Sequence, residues 1–194
     1  MKIPSARRQN GFTLVELLVV IAIIAVLAAA GFAAGNAAIQ KARKVTCLAS
    51  ATAIESAVNN FFTEYGSLPK DGDSETPIKT DIDTTFLKVL LGLEGTGNTV
   101  LNTRGIKFLN AREGKARKNG LIYSTNGSSV EGLFDPWGGP YNVVMDLTYD
   151  EKIAVAPKGG GGTTLNGRRV AVWSDGADYK GQNKATDDVK TWGQ

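Results

Sequence analysis

The chain has 194 residues, 42% of them hydrophobic, and carries 22 basic against 19 acidic side chains for a net charge of +3. That length allows one ordinary domain plus an accessory element, and this apolar content excludes a chain disordered throughout. The single Cys47 excludes an intrachain disulfide, and the lack of histidine removes the usual zinc centres, Ser-His triads and Cys-His pairs.

A short basic leader, Met1 to Gly11, precedes an apolar block from Phe12 to Ala34. At about 1.5 Å per helical residue the block is long enough to cross a hydrocarbon layer of roughly 30 Å. A cleaved secretory signal ending near Ala28 to Ala30, a twin-arginine signal on Arg7 and Arg8, and a retained transmembrane helix all compete for it. Glu16 argues against the first two, because a charge inside a transient apolar segment is costly and gives a signal peptide nothing in return. A cut between Gly11 and Phe12 would create an α-amine that is largely cationic at neutral pH. Phe12 and Glu16 are four residues apart, so amine and carboxylate would share one helix face, or pair between neighbouring helices of a bundle.

The residues "GFTLVELLVVIAIIAVLAAAG" after the basic leader resemble the prepilin cleavage and methylation segment of type IV pilins and type II secretion pseudopilins. The resemblance implies that a prepilin peptidase cuts after Gly11 and methylates Phe12, and that Glu16 acts in assembly. The proline that many family members carry partway along the span is absent here; Ala33 lies between Gly31 and Gly35. Basic residues flank the span on both sides, with Lys2, Arg7 and Arg8 before it and Lys41, Arg43 and Lys44 after it, so charge barely orients it. The resemblance puts the leader in the cytoplasm.

The helical pattern continues past the span through Cys47, Ala51, Ile54, Val58, Phe61 or Phe62, and Tyr65. "YGSLPKDG" then stops it, with Gly66 as a C-cap, and Cys47 falls on the apolar face as a buried thiol. After a polar linker, "TTFLKVLLGLEG" from Thr84 predicts a short helix with Phe86, Leu87, Leu90 and Leu91 turned inward. Residues 98–132 are Gly-rich and mixed and receive no assignment; within them Arg112, Lys115, Arg117 and Lys118 read as a solvated basic loop. Strands are predicted at Tyr141 to Leu147, Lys152 to Ala156 and Arg168 to Ser174, with "PKGGGG" from Pro157 as a hairpin tip.

"FDPWGGPYNVVMD" from Phe134 reads as an Asp-Pro turn with glycines for unusual backbone angles and aromatics that cover a sheet; it resembles the turn before the first strand of major pseudopilins. In "AVWSDGADYKGQNKATDDVKTW" a loop closing between Asp175 and Asp187 with Asp188 would gather three carboxylates that repel without a cation, and a plain acidic tail is the competing reading. In the pseudopilins a C-terminal loop of this form binds calcium, so the resemblance implies Ca2+ ligand roles for Asp175, Asp187 and Asp188, with Asp178 as a further candidate. Asp146 and Asp150 in "DLTYDEK" read as a hairpin loop.

The expected fold is α+β: a long N-terminal α-helix, transmembrane in its N-terminal half, packed against a small antiparallel β-sheet. The expected organisation is a leader at 1–11, a transmembrane and assembly helix at 12–34, the soluble half of that helix at 35–66 and a globular domain at 67–194. The resemblance implies a non-enzymatic subunit of a type II secretion pseudopilus in the bacterial inner membrane, its globular part in the periplasm. Its partners would be copies of itself, minor pseudopilins, the prepilin peptidase and an inner-membrane assembly platform with its ATPase, and not nucleic acid. A type IV pilus subunit for adhesion, motility or DNA uptake is the alternative. A membrane-anchored hydrolase using carboxylates alone is the competing class, and the sequence offers it no isolated acid pair in apolar surroundings.

Overall fold

The computed structural model describes residues 12–70, 72, 74–97, 99–125, 129–158, 161–181 and 187–193, and, within the first helix, leaves the side chains of 30, 31, 33 and 34 aside. The leader with Gly11, part of the Gly-rich hairpin tip and residues 182–186 lie outside these. The chain divides into two compact units, one ending at Lys41 and one beginning at Ala42.

Helix α1 runs Leu14–Tyr65 without a proline. From Leu17 to Ala29 the helix is wholly apolar, and Leu17, Leu18, Ile21 and Ile24 are exposed. Among the described residues no helix is long and apolar enough to cross a membrane. The sequence itself stays apolar from Leu17 to Ala34 apart from Gly31.

In the second unit the pattern turns amphipathic. Cys47, Ala51, Ile54, Val58 and Phe61 fall on one helical face and are fully buried. Gly66 ends the helix at φ +71°, its N–H donating to the Phe62 carbonyl at 2.8 Å; only a residue without Cβ adopts that left-handed cap freely. The helix α2, Thr84–Leu91, buries Phe86, Leu87, Val89, Leu90 and Leu91, and Gly92 closes it in the same way.

A four-stranded antiparallel sheet has the order β1 (Ile78–Lys79), β4 (Tyr141–Met145), β7 (Val170–Ser174), β8 (Val189–Lys190). The pairs β2 (Gly120–Tyr123) with β3 (Val130–Phe134) and β5 (Lys152–Val155) with β6 (Thr163–Asn166) form separate hairpins. Register explains why β4 and β7 read as near-continuous apolar runs. Val143 faces Val172 and packs into the core with Cys47 and Phe61, while Val144 faces Ala171 and packs on the opposite side with Ile153, Val155 and Trp173. Successive side chains alternate faces, and here both faces are covered, by α1 on one side and the β5–β6 hairpin on the other. The long helix against antiparallel sheets is thus an α+β fold. Three details differ from the sequence reading. The strand from Arg168 starts at Val170, the Gly-rich tip joins β5 to the polar β6 rather than to β7, and the unassigned segment contains β2 and part of β3.

Candidate functional site

At the N-terminus Thr13 and Glu16 build the first turn of α1. One carboxylate oxygen of Glu16 accepts the Thr13 backbone N–H at 2.9 Å and its hydroxyl at 2.7 Å, while the Glu16 N–H donates to that hydroxyl oxygen at 3.2 Å. These are the reciprocal bonds of a capping box, in which a Thr three residues before a Glu satisfies the open amides of a helix start. "TLVE" carried that signal, which the sequence reading did not use. Phe12 is 82% exposed, and Gly11 lies outside the described residues. In the uncut chain the nitrogen of Phe12 is an amide, so the carboxylate turns to Thr13.

The C-terminal loop begins where β7 ends. Asp175, 6% exposed, leads into a single 3-10 turn at Gly176–Asp178. Gly176 sits at φ +71°, and a Cβ there would come 2.4 Å from the Asp187 carbonyl oxygen, so the two arms of the loop meet only because residue 176 is glycine. One Asp187 oxygen accepts the N–H groups of Ala177 at 2.9 Å and Asp178 at 3.2 Å, a small nest for an anion. Its other oxygen and both oxygens of Asp188 are buried without a hydrogen bond among the described residues. The Asp188 side chain is 1% exposed, and the Lys190 ammonium is 3.8 Å away. Burial first, then repulsion from Asp175, Asp187 and Asp178, pushes the Asp188 acid up to about 6 against the pull of Lys190. Asp175 accepts the Asn142 amide at 3.3 Å and lies 3.8 Å from the Lys158 ammonium, which also donates to the Tyr179 carbonyl.

Buried carboxylate oxygens without donors suit a hard cation with six to eight oxygen ligands. Donor chemistry in this loop therefore fits Ca2+. The oxygens of Asp175, Asp187 and Asp188 are not gathered to one point: among the described residues, the acids whose oxygens lie within 4.8 Å of one another are Glu75, Asp146 and Asp150. That second cluster has its donors. Asp146, 3% exposed, accepts the N–H groups of Asp150 at 3.1 Å and Glu151 at 2.8 Å, and Glu75 accepts the N–H and hydroxyl of Thr148. It holds the β4–β5 turn, in which Tyr149 and Glu151 adopt φ of +59° and +60°.

The Asp-Pro turn supports the loop from below. One Asp135 oxygen accepts the N–H groups of Trp137, Gly138 and Gly139 at 2.8, 2.7 and 2.8 Å, and the other accepts the Ser174 hydroxyl at 2.5 Å. Asp135 is fully buried, which raises its pKa against these donors. A Cβ on Gly139 would come 2.9 Å from the Tyr179 ring. The turn and the acidic loop are therefore built against one another, with Ser174 as the shared post.

The family described as the prokaryotic N-terminal methylation motif matches residues 6–32. The chain is similar to two proteins of Neisseria gonorrhoeae. It is 29% identical to the type IV major pilin protein PilE1 over 100 residues, 50% of this chain and 56% of that protein. It is 38% identical to the type IV major pilin protein PilE over 66 residues, 34% of this chain and 40% of that one. The matches thus span about half the length of these relatives or less. No solved structure matches the chain. The chain thus carries a prokaryotic N-terminal methylation motif and is similar, over part of its length, to type IV major pilins.

Proposed function

We propose that the protein is a membrane-anchored filament subunit, cut by a prepilin peptidase between Gly11 and Phe12 and methylated on the new amine. The observation that carries this reading is the α1 segment from Leu17 to Ala29, wholly apolar and exposed, within a matched methylation motif. Such a surface is stable only in lipid or against other helices. The subunit waits in the inner membrane, with residues 42–194 in the periplasm, and passes from lipid into a helical bundle of its own copies. An assembly platform and its ATPase supply the work. Once the amine exists, Glu16 can exchange Thr13 for the Phe12 ammonium of its own or a neighbouring copy.

Within this class we favour a type II secretion pseudopilus, capped by minor pseudopilins, because the "FDPWGGP" turn and the acidic loop are built as one support. Asp175, Asp187 and Asp188 would hold Ca2+ there, and the ion would supply the positive charge that their buried oxygens lack. A surface type IV pilus is the second reading, favoured by the relatives, which are named type IV major pilins.

Intact-mass and N-terminal analysis of membrane-extracted protein from the native host tests the anchor. A chain beginning at N-methyl-Phe12, blocked by Gly11→Val, is the expected result; a start near Gly31 marks a secretory signal and ends the filament reading. Deleting the gene separates the two filaments: loss of protein export with surface pili intact supports the pseudopilus, and the reverse supports the pilus.

A further inference from the structure

The basic run at Arg112, Lys115, Arg117 and Lys118 has a fixed shape. Residues 112–121 fold into a tight hairpin in which Lys115 and Lys118 exchange both backbone hydrogen bonds, at 3.2 and 3.1 Å. Its two corner residues, Ala116 and Arg117, adopt φ of +51° and +55°, and Asn119 adopts +61°. Two-residue turns of this hand favour Asn-Gly, because a Cβ crowds the left-handed region. Backbone held this way calls for a functional reason.

The hairpin projects cations. Arg112 is pinned by its Nε–H to the Asn119 carbonyl at 2.9 Å, and Arg117 lies over the Phe134 ring, 4.7 Å from its centroid, within 3.9 Å of Asp81. Between the hairpin and α1 lies an open groove of about 470 Å³, lined by Arg43, Arg112, Lys115 and Lys118 against the single acid Glu113. Arg43, Lys115 and Lys118 have no ion-pair partner within 4.0 Å among the described residues. We propose that this groove docks the phosphate headgroups of an anionic lipid surface.

The occupant follows from where Arg43 sits in the chain. It is nine residues beyond Ala34, the end of the apolar run, so the chain tethers it close in sequence to that run. The headgroup zone begins where the hydrocarbon ends, and long Arg and Lys side chains reach back toward it with their stems on apolar surface. Lys41 and Lys44 flank Arg43 in sequence. A nucleic acid offers the same phosphodiester chemistry, but the apolar run tethers lipid, not nucleic acid, within reach. The inference rests on the membrane-anchored reading above.

The test uses the full chain, reconstituted in phosphatidylcholine vesicles with or without roughly one third phosphatidylglycerol, a content that gives a strongly anionic surface. Amine acetylation rates are read at Lys115, Lys118 and the exposed Lys152. Lys115 and Lys118 should react about threefold slower or more on the anionic vesicles, with Lys152 unchanged, and the protection should vanish in molar salt, where screening acts within about 3 Å. Arg43→Gln should weaken it without touching the lysines that report it. Equal rates on both vesicles overturn the proposal. So does protection on neutral vesicles by inorganic phosphate or by short duplex DNA to the same degree, which makes the groove a phosphate or nucleic-acid site. Protein that washes off the vesicles in alkaline carbonate removes the anchor itself, a failure distinct from equal rates on inserted chain.

Discussion

A single carboxylate oxygen of Glu16 holds both the backbone N–H and the hydroxyl of Thr13, at 2.9 and 2.7 Å. The acid therefore caps α1 here, and on the proposed processing it would also partner the Phe12 amine, the role that would involve assembly.

Two variants separate them. Glu16→Ala removes cap and pairing group together and should remain inserted and processed, yet enter filaments several-fold less than co-expressed wild type. Thr13→Ala removes the hydroxyl and leaves the acid, so it should be incorporated close to wild type. Shearing filaments and quantifying each form checks this; equal loss from both variants would reduce Glu16 to a helix cap.

Asp135 gives a test of the turn. Asp135→Ala strips the carboxylate acceptor from the part-buried N–H groups of Trp137 and Gly138, the buried N–H of Gly139 and the buried Ser174 hydroxyl. An unsatisfied buried donor costs about 1–3 kcal/mol, so urea denaturation should show a loss of about 3 kcal/mol or more. Asp135→Asn keeps one carbonyl oxygen for the three amides and offers its NH2 to the Ser174 oxygen, and should lose less than half as much.

The folded pKa of Asp188, near 6, lies above its ordinary 3.8. The folded chain then binds this proton more tightly than the unfolded one, so the ionised acid works against folding. In chelator, the Asp188 contribution should be most favourable below about pH 4 and be lost as pH rises through 6, a change on the order of 2–3 kcal/mol at most. Asp188→Asn should flatten that window and stabilise the metal-free chain at pH 7. Denaturation midpoints at pH 4 to 7 decide, against wild type under the same conditions; parallel curves would show that the buried oxygens are hydrated.

Much of the fold was legible in spacing. The run Cys47, Ala51, Ile54, Val58, Phe61 repeats with the helical period, and the apolar blocks of β4 and β7 stand between turns. What was hidden depended on distant partners or carried no apolar alternation. β6, Thr163–Asn166, is polar and mostly exposed and exists through its pairing with β5. β1 and β8 are two residues each, too short for any periodicity. β2 and β3 include Gly120 and Gly132, both at positive φ, which read as breaks rather than as strand. At the site, the acids of the C-terminal loop could be named from sequence, but not that Asp188 is buried without a donor or that Glu75 reaches Thr148 across 73 residues. The capping box is legible in "TLVE", a Thr three residues before a Glu at the start of an apolar helix.

Calcium affords the last test. If Asp175, Asp187 and Asp188 share an ion, a ligand bound only by the folded state stabilises it by about 2.7 kcal/mol at a hundredfold excess over Kd. Calorimetry of the full chain in detergent should then show melting of the second unit several degrees higher in calcium than in chelator. Asp187→Ala should abolish most of the difference, and so should Gly176→Ala, whose Cβ would strike the Asp187 carbonyl and part the loop arms. The control must avoid Asp150, since Glu75, Asp146 and Asp150 could themselves hold an ion. Glu131→Ala, on an exposed position of β3, should keep the full shift. An Asp150→Ala variant that loses the shift while Asp187→Ala retains it would move the metal to the β4–β5 turn. Unchanged melting of the parent chain across millimolar calcium would leave Asp188 a buried acid without an ion, and remove the metal from the filament reading without touching the anchor.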